Sequence, residues 1–495
     1  MSDVLLRAIN INKSFAGVHA LMDVNLTVKK GEVRCLIGEN GCGKSTLIKV
    51  ISGVYTPDSG ELEVSGQKFG RLQPDQAMNL GIQVIYQDFS IFPNLTVADN
   101  IAMNTLRVQK KKFINWRTIR KKAQEALDHL DVKIDLDVKA ESLSVADKQI
   151  VAICRAIIQD AKLIIMDEPT TALTKKEVSS LLAIIHQLKA EGIAVIFVTH
   201  KLEEVLGVTD TVTILRNGVC VIDGEKTSDF DVNKLAFYMT GREIVDDKFQ
   251  PEIKNGNELL RVEHLCLKDG FDDISLTVNS GDILGVTGLL GSGRTEFAQS
   301  LFGQFPATSG KLYIEGNLVK IRSVKDAIRN GIGYVPEDRL TEGLFLKKSI
   351  GSNIFVSVLD RCKKALFISD YRALKAIGDK WVRELSIKTP DSDNIITTLS
   401  GGNQQRVVLA KWLARDPKIL ILNGPTVGVD IGSKLEIHKV LRKLANQGIA
   451  VIIISDDIPE VLTNCNKIVV MRMGRIVGQI DAGATEQEQL ADMLE

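Results

Sequence analysis

With 495 residues, this chain is too long for one hydrophobic core, so we expect at least two domains. Hydrophobic residues make up 44% of the chain and charged residues 25%, a balance that is ordinary for globular domains and excludes a largely disordered chain. The 62 basic residues are matched by 62 acidic ones, which argues against a nucleic-acid groove as the main function.

Three sequence patterns bear on where the chain works. Apolar runs such as 449–454 have the length of strands, far below the roughly 18 residues that cross a bilayer. The chain enters a strand-like pattern at its first residues, so no secretory signal is expected. The seven cysteines stand singly, without C-x-x-C pairs, which favours a reducing, cytosolic setting over a disulfide framework or a metal cluster.

The first half begins with predicted strands at 5–11 and 32–37, and the second of these runs into a glycine-rich loop before a predicted helix. The loop has the form Gly-x-x-x-x-Gly-Lys-Ser, and its place between a strand and a helix makes the motif informative. Its backbone N–H groups would face phosphates, Lys44 would reach the β and γ oxygens, and the Ser45 hydroxyl would ligate Mg²⁺. The predicted nucleotide contacts are Gly38, Glu39, Asn40, Gly41, Cys42, Gly43, Lys44, Ser45 and Thr46. We interpret Cys42 as a small filler rather than a reactive thiol.

Four further residues of the first half complete a predicted ATPase site. Asp167 and Glu168 end the predicted strand 163–166, where Asp167 would hold Mg²⁺ and Glu168 would act as general base toward the attacking water. Gln87 follows an apolar strand and would touch both metal and water, and His200 ends the predicted strand 194–199 and would contact the γ-phosphate. The predicted catalytic residues are therefore Lys44, Gln87, Glu168 and His200, and the predicted metal ligands are Ser45, Gln87 and Asp167.

Phe15 offers an aromatic face for adenine, although packing in the core explains this residue nearly as well.

The second half repeats the first in the same order. Gly288, which opens a second glycine-rich loop, lies 250 residues after Gly38, and Asn423 lies 256 residues after Asp167. Because the order is kept over so long a shift, the repeat indicates duplication of a whole domain rather than a solenoid period. We place the first domain at 1–245, a polar linker at 246–256 and the second domain at 257–495.

Strands alternate with helices in both halves, which predicts α/β domains with a mostly parallel sheet covered on both faces. The buried runs at 163–166, 194–198, 419–422 and 450–454 have the composition of such strands. Charged helical stretches are expected near 117–130 and 370–386.

The order of the phosphate loop, Gln87, a Leu-Ser segment, Asp-Glu-Pro-Thr and His200 resembles the ABC ATPase family, and the resemblance covers both halves. The most specific element is the Leu-Ser-Gly-Gly-Asn-Gln-Gln run at 399–405. Two fused cassettes with Gly-Arg-Thr in the second loop are similar to the ATP-binding subunits of ribose-, galactose- and xylose-type sugar importers. The resemblance implies two tandem P-loop NTPase domains, each with a parallel core sheet, an antiparallel β subdomain and a helical subdomain.

The resemblance also implies a head-to-tail cassette dimer within this chain, in which ATP lies between the phosphate loop of one cassette and the Leu-Ser-Gly-Gly segment of the other. Such an arrangement adds Ser400, Gly401, Gly402 and Asp430 to the nucleotide contacts of the first loop.

The substitutions between the two copies separate cleanly by site. In the second copy the counterparts of Lys44, Gln87, Asp167, Glu168 and His200 are Arg294, Glu337, Asn423, Gly424 and Asp456. In the first copy Val145, Ala146 and Thr174 stand where the second has Gly401, Gly402 and Asp430. One intact and one degenerate site are therefore expected. Phe15 aligns with Asp269, and Phe271 is a candidate replacement for the adenine platform.

By resemblance, the partners are integral-membrane permease subunits, as a dimer, and indirectly an extracytoplasmic solute-binding protein, with the chain at the cytoplasmic face of the membrane. Residues 91–97 and 344–350 would be the docking stretches, although a buried subdomain core explains their apolar content nearly as well. The alternative hypothesis is that the chain is a soluble tandem-cassette ATPase acting on ribosomes or nucleic acid. The short polar linker, the single competent site and the absence of net charge argue against it.

Overall fold

The computed structural model describes residues 3–15, 18–86, 89–108, 116–170, 173–199, 202–242, 247–253, 256–365 and 368–494. The chain divides into two compact units, Met1–Ile244 and Val245–Glu495. Each unit is an α/β domain with a six-stranded, mostly parallel sheet and a four-stranded antiparallel sheet, as predicted.

The strands of the first unit are β1 (Val4–Phe15), β2 (Val18–Lys29), β3 (Val33–Ile37), β4 (Ser59–Val64), β5 (Gln67–Phe69), β6 (Ile82–Ile85), β7 (Leu163–Asp167), β8 (Ala194–Val198), β9 (Thr211–Arg216) and β10 (Val219–Lys226). Its helices are α1 (Lys44–Ile51), α2 (Pro74–Asn79), α3 (Val97–Val108), α4 (Trp116–His129), α5 (Val145–Ile158), α6 (Lys175–Ala190), α7 (Leu202–Val208) and α8 (Val232–Thr240).

The core sheet of the first unit has the strand order β10-β9-β3-β8-β7-β6, and only the β9–β10 pair is antiparallel. Successive residues of β7 enter different apolar clusters: Leu163 and Ile165 pack in one, and Ile164 and Met166 in the other. Because side chains alternate across a strand, this division means that both faces of the sheet are covered. It explains why the run is apolar without alternation.

The strands of the second unit are β11 (Glu258–Leu267), β12 (Phe271–Asn279), β13 (Ile283–Thr287), β14 (Ser309–Ile314), β15 (Asn317–Val319), β16 (Ile332–Val335), β17 (Lys363–Ala365), β18 (Ile368–Ser369), β19 (Ile419–Asn423), β20 (Ala450–Ile454), β21 (Lys467–Arg472) and β22 (Arg475–Asp481). Its helices are α9 (Arg294–Leu301), α10 (Val324–Arg329), α11 (Ile350–Phe355), α12 (Tyr371–Glu384), α13 (Gly401–Leu413), α14 (Ile431–Asn446), α15 (Ile458–Asn464) and α16 (Gln487–Leu494).

The core sheet of the second unit has the order β16-β19-β20-β13-β21-β22. Read from the opposite edge, the first sheet has the order β6-β7-β8-β3-β9-β10, so the two sheets correspond strand for strand. In both units the strand that leads into the glycine-rich loop is fully buried in the interior of the sheet. The carboxyl ends of parallel strands meet at one edge, so the loops that follow β3, β7 and β8 share that edge.

The polar segment predicted as a linker packs on the second unit. Phe249 is buried in the core of that unit and its N–H donates to the Thr463 carbonyl at 2.8 Å. The Lys248 ammonium donates to the carbonyls of Ala482 and Thr485, both at 3.1 Å. The aromatic anchor was not recognised from the sequence because the surrounding residues are polar.

Candidate functional site

The first glycine-rich loop joins buried strand β3 to helix α1. Gly43 is the residue before the helix and has a φ of 109°, and a Cβ built on it would lie 2.6 Å from the Ala20 carbonyl oxygen. Only glycine fits both the backbone angle and the close approach to β2. The N-terminus of α1 therefore emerges at the loop with its N–H groups directed into it, which is the geometry that binds phosphate.

Lys44 is buried at the start of α1, and its ammonium donates to the carbonyls of Gly38 at 2.7 Å and Glu39 at 3.0 Å. The charge is thus held inside the curve of the loop. Cys42 is also buried, and burial raises the pKa of its thiol, an effect that nearby Lys44 only partly opposes. A buried thiol with a raised pKa agrees with its interpretation as a filler.

Asp167 is the last residue of β7 and Glu168 follows it in a strained backbone conformation, with a φ of 50°. The Glu168 N–H donates to the Val198 carbonyl of β8 at 2.9 Å, which holds the turn against the neighbouring strand. Burial, and next the Glu168 carboxylate, raise the pKa of Asp167, while Lys44 lowers it. A pair of carboxylates whose charges disfavour each other is a setting that a cation would stabilise.

A cavity of about 290 Å³ brings these elements together. It is lined by Ala20, Asn40, Gly41, Gly43, Lys44, Ser45, Thr46, Asp167 and Glu168. Among the described residues, no cluster of three or more His, Cys, Asp or Glu side chains is placed to hold a metal on its own. Mg²⁺ characteristically takes one or two protein ligands with substrate phosphates and water. The Ser45 hydroxyl and the Asp167 carboxylate, lining the same cavity as the loop, fit that donor set.

Gln87 and His200, two of the predicted catalytic residues, lie outside the described residues. Phe15 ends β1 and is 40% exposed, and it meets Tyr55 edge-on with the ring centroids 5.2 Å apart. Phe15 is therefore not part of the core, and the Lys13 ammonium lies 5.4 Å from the centroid of its ring. The candidate replacement in the second unit was wrong, because Phe271 is 3% exposed and packs against Phe297 inside the core.

The second glycine-rich loop folds like the first but carries different charges. Arg294 begins α9, and its guanidinium donates to the Gly288 carbonyl and forms an ion pair with Asp456 at 3.3 Å. Asp456 is the counterpart of His200. Sequence reasoning found both substitutions but not that the new arginine and the new carboxylate bind each other.

The acidic pair of the first unit has no chemical equivalent in the second. Asn423 ends β19 and Gly424 follows with a φ of 56°. A nearby cavity of about 420 Å³ is lined by Asn423, Thr295 and three carboxylates, those of Glu337, Asp338 and Glu342, with Arg339 as its one cationic side chain. This excess of negative charge disfavours a triphosphate.

The two Leu-Ser segments, at 143–144 and 399–400, differ at the N-terminus of the helix that follows each. Ser144 caps α5 by accepting from the Asp147 N–H at 3.1 Å, and its hydroxyl donates to the Asp147 carboxylate at 2.8 Å. The Ser400 hydroxyl makes no capping bond to α13 and instead accepts from the Asn403 amide at 2.9 Å. In the first unit a carboxylate thus lies at the helix N-terminus, where it would repel phosphate, whereas the second unit carries an amide there.

The neighbours of Gly401, Gly402 and Asp430 within the second unit add a structural reason for these residues. A Cβ on Gly402 would overlap the side chain of Ser433 in α14. Asp430 caps α14, accepting from the Ser433 N–H at 2.8 Å and from the Ser433 hydroxyl at 3.0 Å. The glycine therefore lets α13 pack closely against the start of α14, quite apart from any contact with nucleotide.

The two predicted docking stretches share one construction. The buried Asn100 side chain accepts from the Phe92 N–H at 2.9 Å and donates to the Phe92 carbonyl at 3.0 Å, and Asn353 makes the same pair of bonds to Phe345 at 2.7 and 3.2 Å. Phe92 and Phe345 are both about half exposed. The amide fixes the backbone while the ring faces outward.

In the part of the chain that the structure describes, the helices are too short or too polar to span a bilayer.

The chain matches the sequence profile of the family described as ABC transporter over residues 21–171 and 271–427. It is 40% identical over 495 residues to a putative ribose/galactose/methyl galactoside import ATP-binding protein of Geobacillus kaustophilus, a match that covers 99% of this chain and 97% of the relative. It is 39% identical over 487 residues to the ribose import ATP-binding protein RbsA of Clostridium perfringens strain SM101, covering 98% of this chain and 97% of the relative.

Proposed function

Because the chain belongs to the ABC transporter family, we propose that it is the ATP-hydrolysing, energy-coupling subunit of a membrane importer for a monosaccharide or related small solute. ATP binding and hydrolysis are the chemistry of this family's ATP-binding proteins, and this chain is such an ATPase. The proposal further assigns hydrolysis to the first unit alone.

One observation carries the assignment. In the first unit Lys44, Ser45, Asp167 and Glu168 line a single cavity at the carboxyl edge of the sheet. The same edge of the second unit carries Asn423 and a glycine. Asparagine holds a cation less strongly than a carboxylate, and glycine cannot accept a proton, so the second unit lacks the groups that hydrolysis requires.

In the proposed reaction the N–H groups of the loop and of the start of α1 bind the β and γ phosphate oxygens, and Lys44 neutralises part of their charge. Glu168 orients the attacking water and accepts its proton. Ser45 and Asp167 would hold Mg²⁺, which supplies positive charge to the phosphate oxygens. Gln87 is assigned to metal and water, His200 to the γ-phosphate and Phe15 to adenine, as the sequence predicts.

The proposal also assigns Ser400, Gly401, Gly402 and Asp430 to the ATP that the first loop binds. The distribution of substitutions supports it, because each copy retains the elements that the other has lost. The carboxylate of Asp147 at the N-terminus of α5 is consistent with loss of phosphate binding by the corresponding segment of the first unit.

The names of the two relatives support sugar import. The proposed partners are permease subunits in the membrane and, indirectly, a solute-binding protein on the other side of it. The half-exposed Phe92 and Phe345 are the proposed contacts with the permease, at the cytoplasmic face of the membrane. Ribose, galactose and related solutes fit equally, because the solute does not touch this subunit in the proposed scheme.

Co-purification and reconstitution test the transport assignment. The chain is expected to purify with a hydrophobic permease from the membrane fraction, and its ATP hydrolysis in proteoliposomes is expected to rise when a sugar-loaded binding protein is enclosed. Sedimentation with ribosomes, with no recovery in the membrane fraction, would contradict the proposal.

A further inference from the structure

Arg339 begins a single π-helical turn, Arg339–Gly343, in the loop that follows β16. The turn is fixed from its start, because the Asp338 carboxylate accepts from the N–H groups of Leu340 at 2.9 Å and Thr341 at 3.1 Å. The arginine side chain thus leaves a rigid segment. Single π-helical turns are often found at functional positions.

The guanidinium of Arg339 binds the loop between β19 and α14. One of its terminal nitrogens donates to the Val427 carbonyl at 3.0 Å and the other donates to the Gly428 carbonyl at 3.2 Å. This loop ends at Asp430, the residue that caps α14. A charged donor on two adjacent carbonyls restricts the path of the loop just before that residue.

The same guanidinium lies against the N-terminus of α13. A Cβ on Gly401 would lie 2.7 Å from a terminal nitrogen of Arg339, closer than real contacts allow. Any side chain at this position would therefore displace a guanidinium that is already held by two carbonyls. Gly401 leaves room for this guanidinium, and the two residues pack the start of α13 beside the loop that carries Asp430.

The first unit lacks both members of this pair. Phe89 stands two residues after Gln87, as Arg339 stands two residues after Glu337, and it packs against the apolar core. Val145 takes the place of Gly401. The arginine and the glycine occur together in the copy that retains Leu-Ser-Gly-Gly, and both are missing from the copy that has lost it.

We propose that Arg339 is a positioning residue for ATP hydrolysis: it holds the loop 427–430 and the start of α13, with Ser400, in the arrangement that the reaction needs. This inference rests on the proposed function, in which Ser400, Gly401 and Asp430 serve the ATP bound by the first loop. It assigns a role to a residue in the unit that has lost its own acidic pair. A misplacement of about 1 Å in such a group can lower a rate about 100-fold.

The test measures steady-state ATP hydrolysis and nucleotide affinity in the full chain. Arg339→Ala is expected to lower kcat about 10- to 100-fold while changing KM and the affinity of the first site less than about threefold, because the first loop supplies most phosphate contacts. Arg339→Lys is expected to recover part of the rate, since an ammonium can bind one of the two carbonyls. Arg383→Ala, at an exposed position of α12, is the matched control and is expected to leave both constants unchanged.

A double-mutant cycle distinguishes positioning from independent effects. If Gly401→Ala acts by displacing the guanidinium, its cost in kcat will be at least about threefold smaller in the Arg339→Ala background than in the native chain. Fully multiplicative effects of the two substitutions, or an Arg339→Ala kcat within about twofold of the native value, would overturn the inference. Native-like nucleotide binding and circular dichroism establish that each variant is folded.

The same series separates this inference from the function on which it rests. If Glu168→Gln abolishes hydrolysis but Arg339→Ala does not slow it, the catalytic assignment stands and the role of Arg339 fails. If Glu168→Gln hydrolyses ATP at the native rate, the proposed function fails first.

Discussion

Glu168 and Gly424 stand at equivalent positions of the two units and both have a positive φ, of 50° and 56°. The Glu168 N–H donates to the Val198 carbonyl at 2.9 Å, and the Gly424 N–H donates to the Ile454 carbonyl at 2.8 Å. A positive φ is strained for glutamate and unstrained for glycine. The first unit therefore tolerates a local strain at the position of its proposed base, and the second unit has lost both the strain and the carboxylate.

This relationship predicts that Gly424→Glu will not create a second catalytic site. A Cβ at position 424 would lie 2.9 Å from the Val427 side chain and 3.1 Å from that of Glu337, and the new carboxylate would face the existing one. The substitution should leave steady-state ATP hydrolysis within about twofold and should reduce thermal stability, in line with the cost of a strained conformation of about 1–3 kcal/mol. Gly424→Ala adds the Cβ without the carboxylate, so its loss of thermal stability gives the steric cost apart from the effect of the charge. A several-fold gain in hydrolysis by Gly424→Glu would contradict the assignment.

The ion pair between Arg294 and Asp456 should compete with nucleotide at the second loop. Because Asp456 is 72% exposed on its side chain, the pair is weak, and removing it should change affinity by no more than about fivefold. In a Lys44→Ala background, Asp456→Asn is expected to raise the affinity for a fluorescent ATP analogue most clearly at low salt, since salt screens exposed charges. Asp416→Asn, which alters another exposed acid of the unit, is the control. If the Lys44→Ala chain with and without Asp456→Asn binds the analogue equally well at low salt, Asp456 does not compete with nucleotide for Arg294.

Cys42 should react slowly with thiol reagents. Burial raises the pKa of its thiol, so the reactive thiolate is scarcer at neutral pH than for an ordinary cysteine, and it becomes more abundant only as pH rises through the raised pKa. Inactivation by N-ethylmaleimide is therefore expected to be slow at pH 7 and faster at pH 9, and Cys42→Ala should retain most of the native ATP hydrolysis. Rapid inactivation at pH 7 that Cys42→Ala prevents would show that the thiol is exposed to reagent.

A buried polar network in the second unit should make the free energy of unfolding of that unit depend on pH in the acidic range. The Glu460 carboxylate accepts from the Thr426 hydroxyl at 2.8 Å and the Ser455 hydroxyl at 2.6 Å, and it pairs with His438 at 2.8 Å. Burial alone would raise the pKa of Glu460, but the hydrogen bond and charge of His438, with the two hydroxyls, lower it below the ordinary 4.5. A lowered pKa contributes stability that is present above about pH 4.5 and lost as pH falls through the folded-state pKa.

His438→Leu introduces the residue that the first unit has at the aligned position, Leu182. It is expected to lower the free energy of unfolding of the second unit at pH 7 by about 1.5–3 kcal/mol, because a buried carboxylate loses a partner. Urea unfolding, followed by the fluorescence of Trp381 and Trp412, measures this change in the free energy of unfolding. His264→Leu, at an exposed histidine, is the matched control. Unchanged stability at pH 7 would mean that the network contributes nothing.

The sequence predicted the repeat, the fold class and the main strands because these depend on local patterns. The apolar run of β7 and the glycine-rich loop before α1 were both recognisable within a few consecutive residues. Pairings between distant segments were not. Nothing in the sequence near Arg294 indicates its partner Asp456, and Phe271 was misjudged because an aromatic residue beside a turn has the same local pattern whether its ring is buried or exposed.

Phosphate release by the Glu168→Gln variant of the full chain, followed over a single turnover with Mg²⁺ and ATP, tests most directly whether one unit performs all the hydrolysis. We predict a rate at least about 100-fold below that of the native chain, since a positioned general base contributes a factor of roughly 10² to 10⁴. Nucleotide should still bind the variant with near-native affinity. A rate close to half of the native value would mean that the second unit hydrolyses ATP as well, and it would contradict the account.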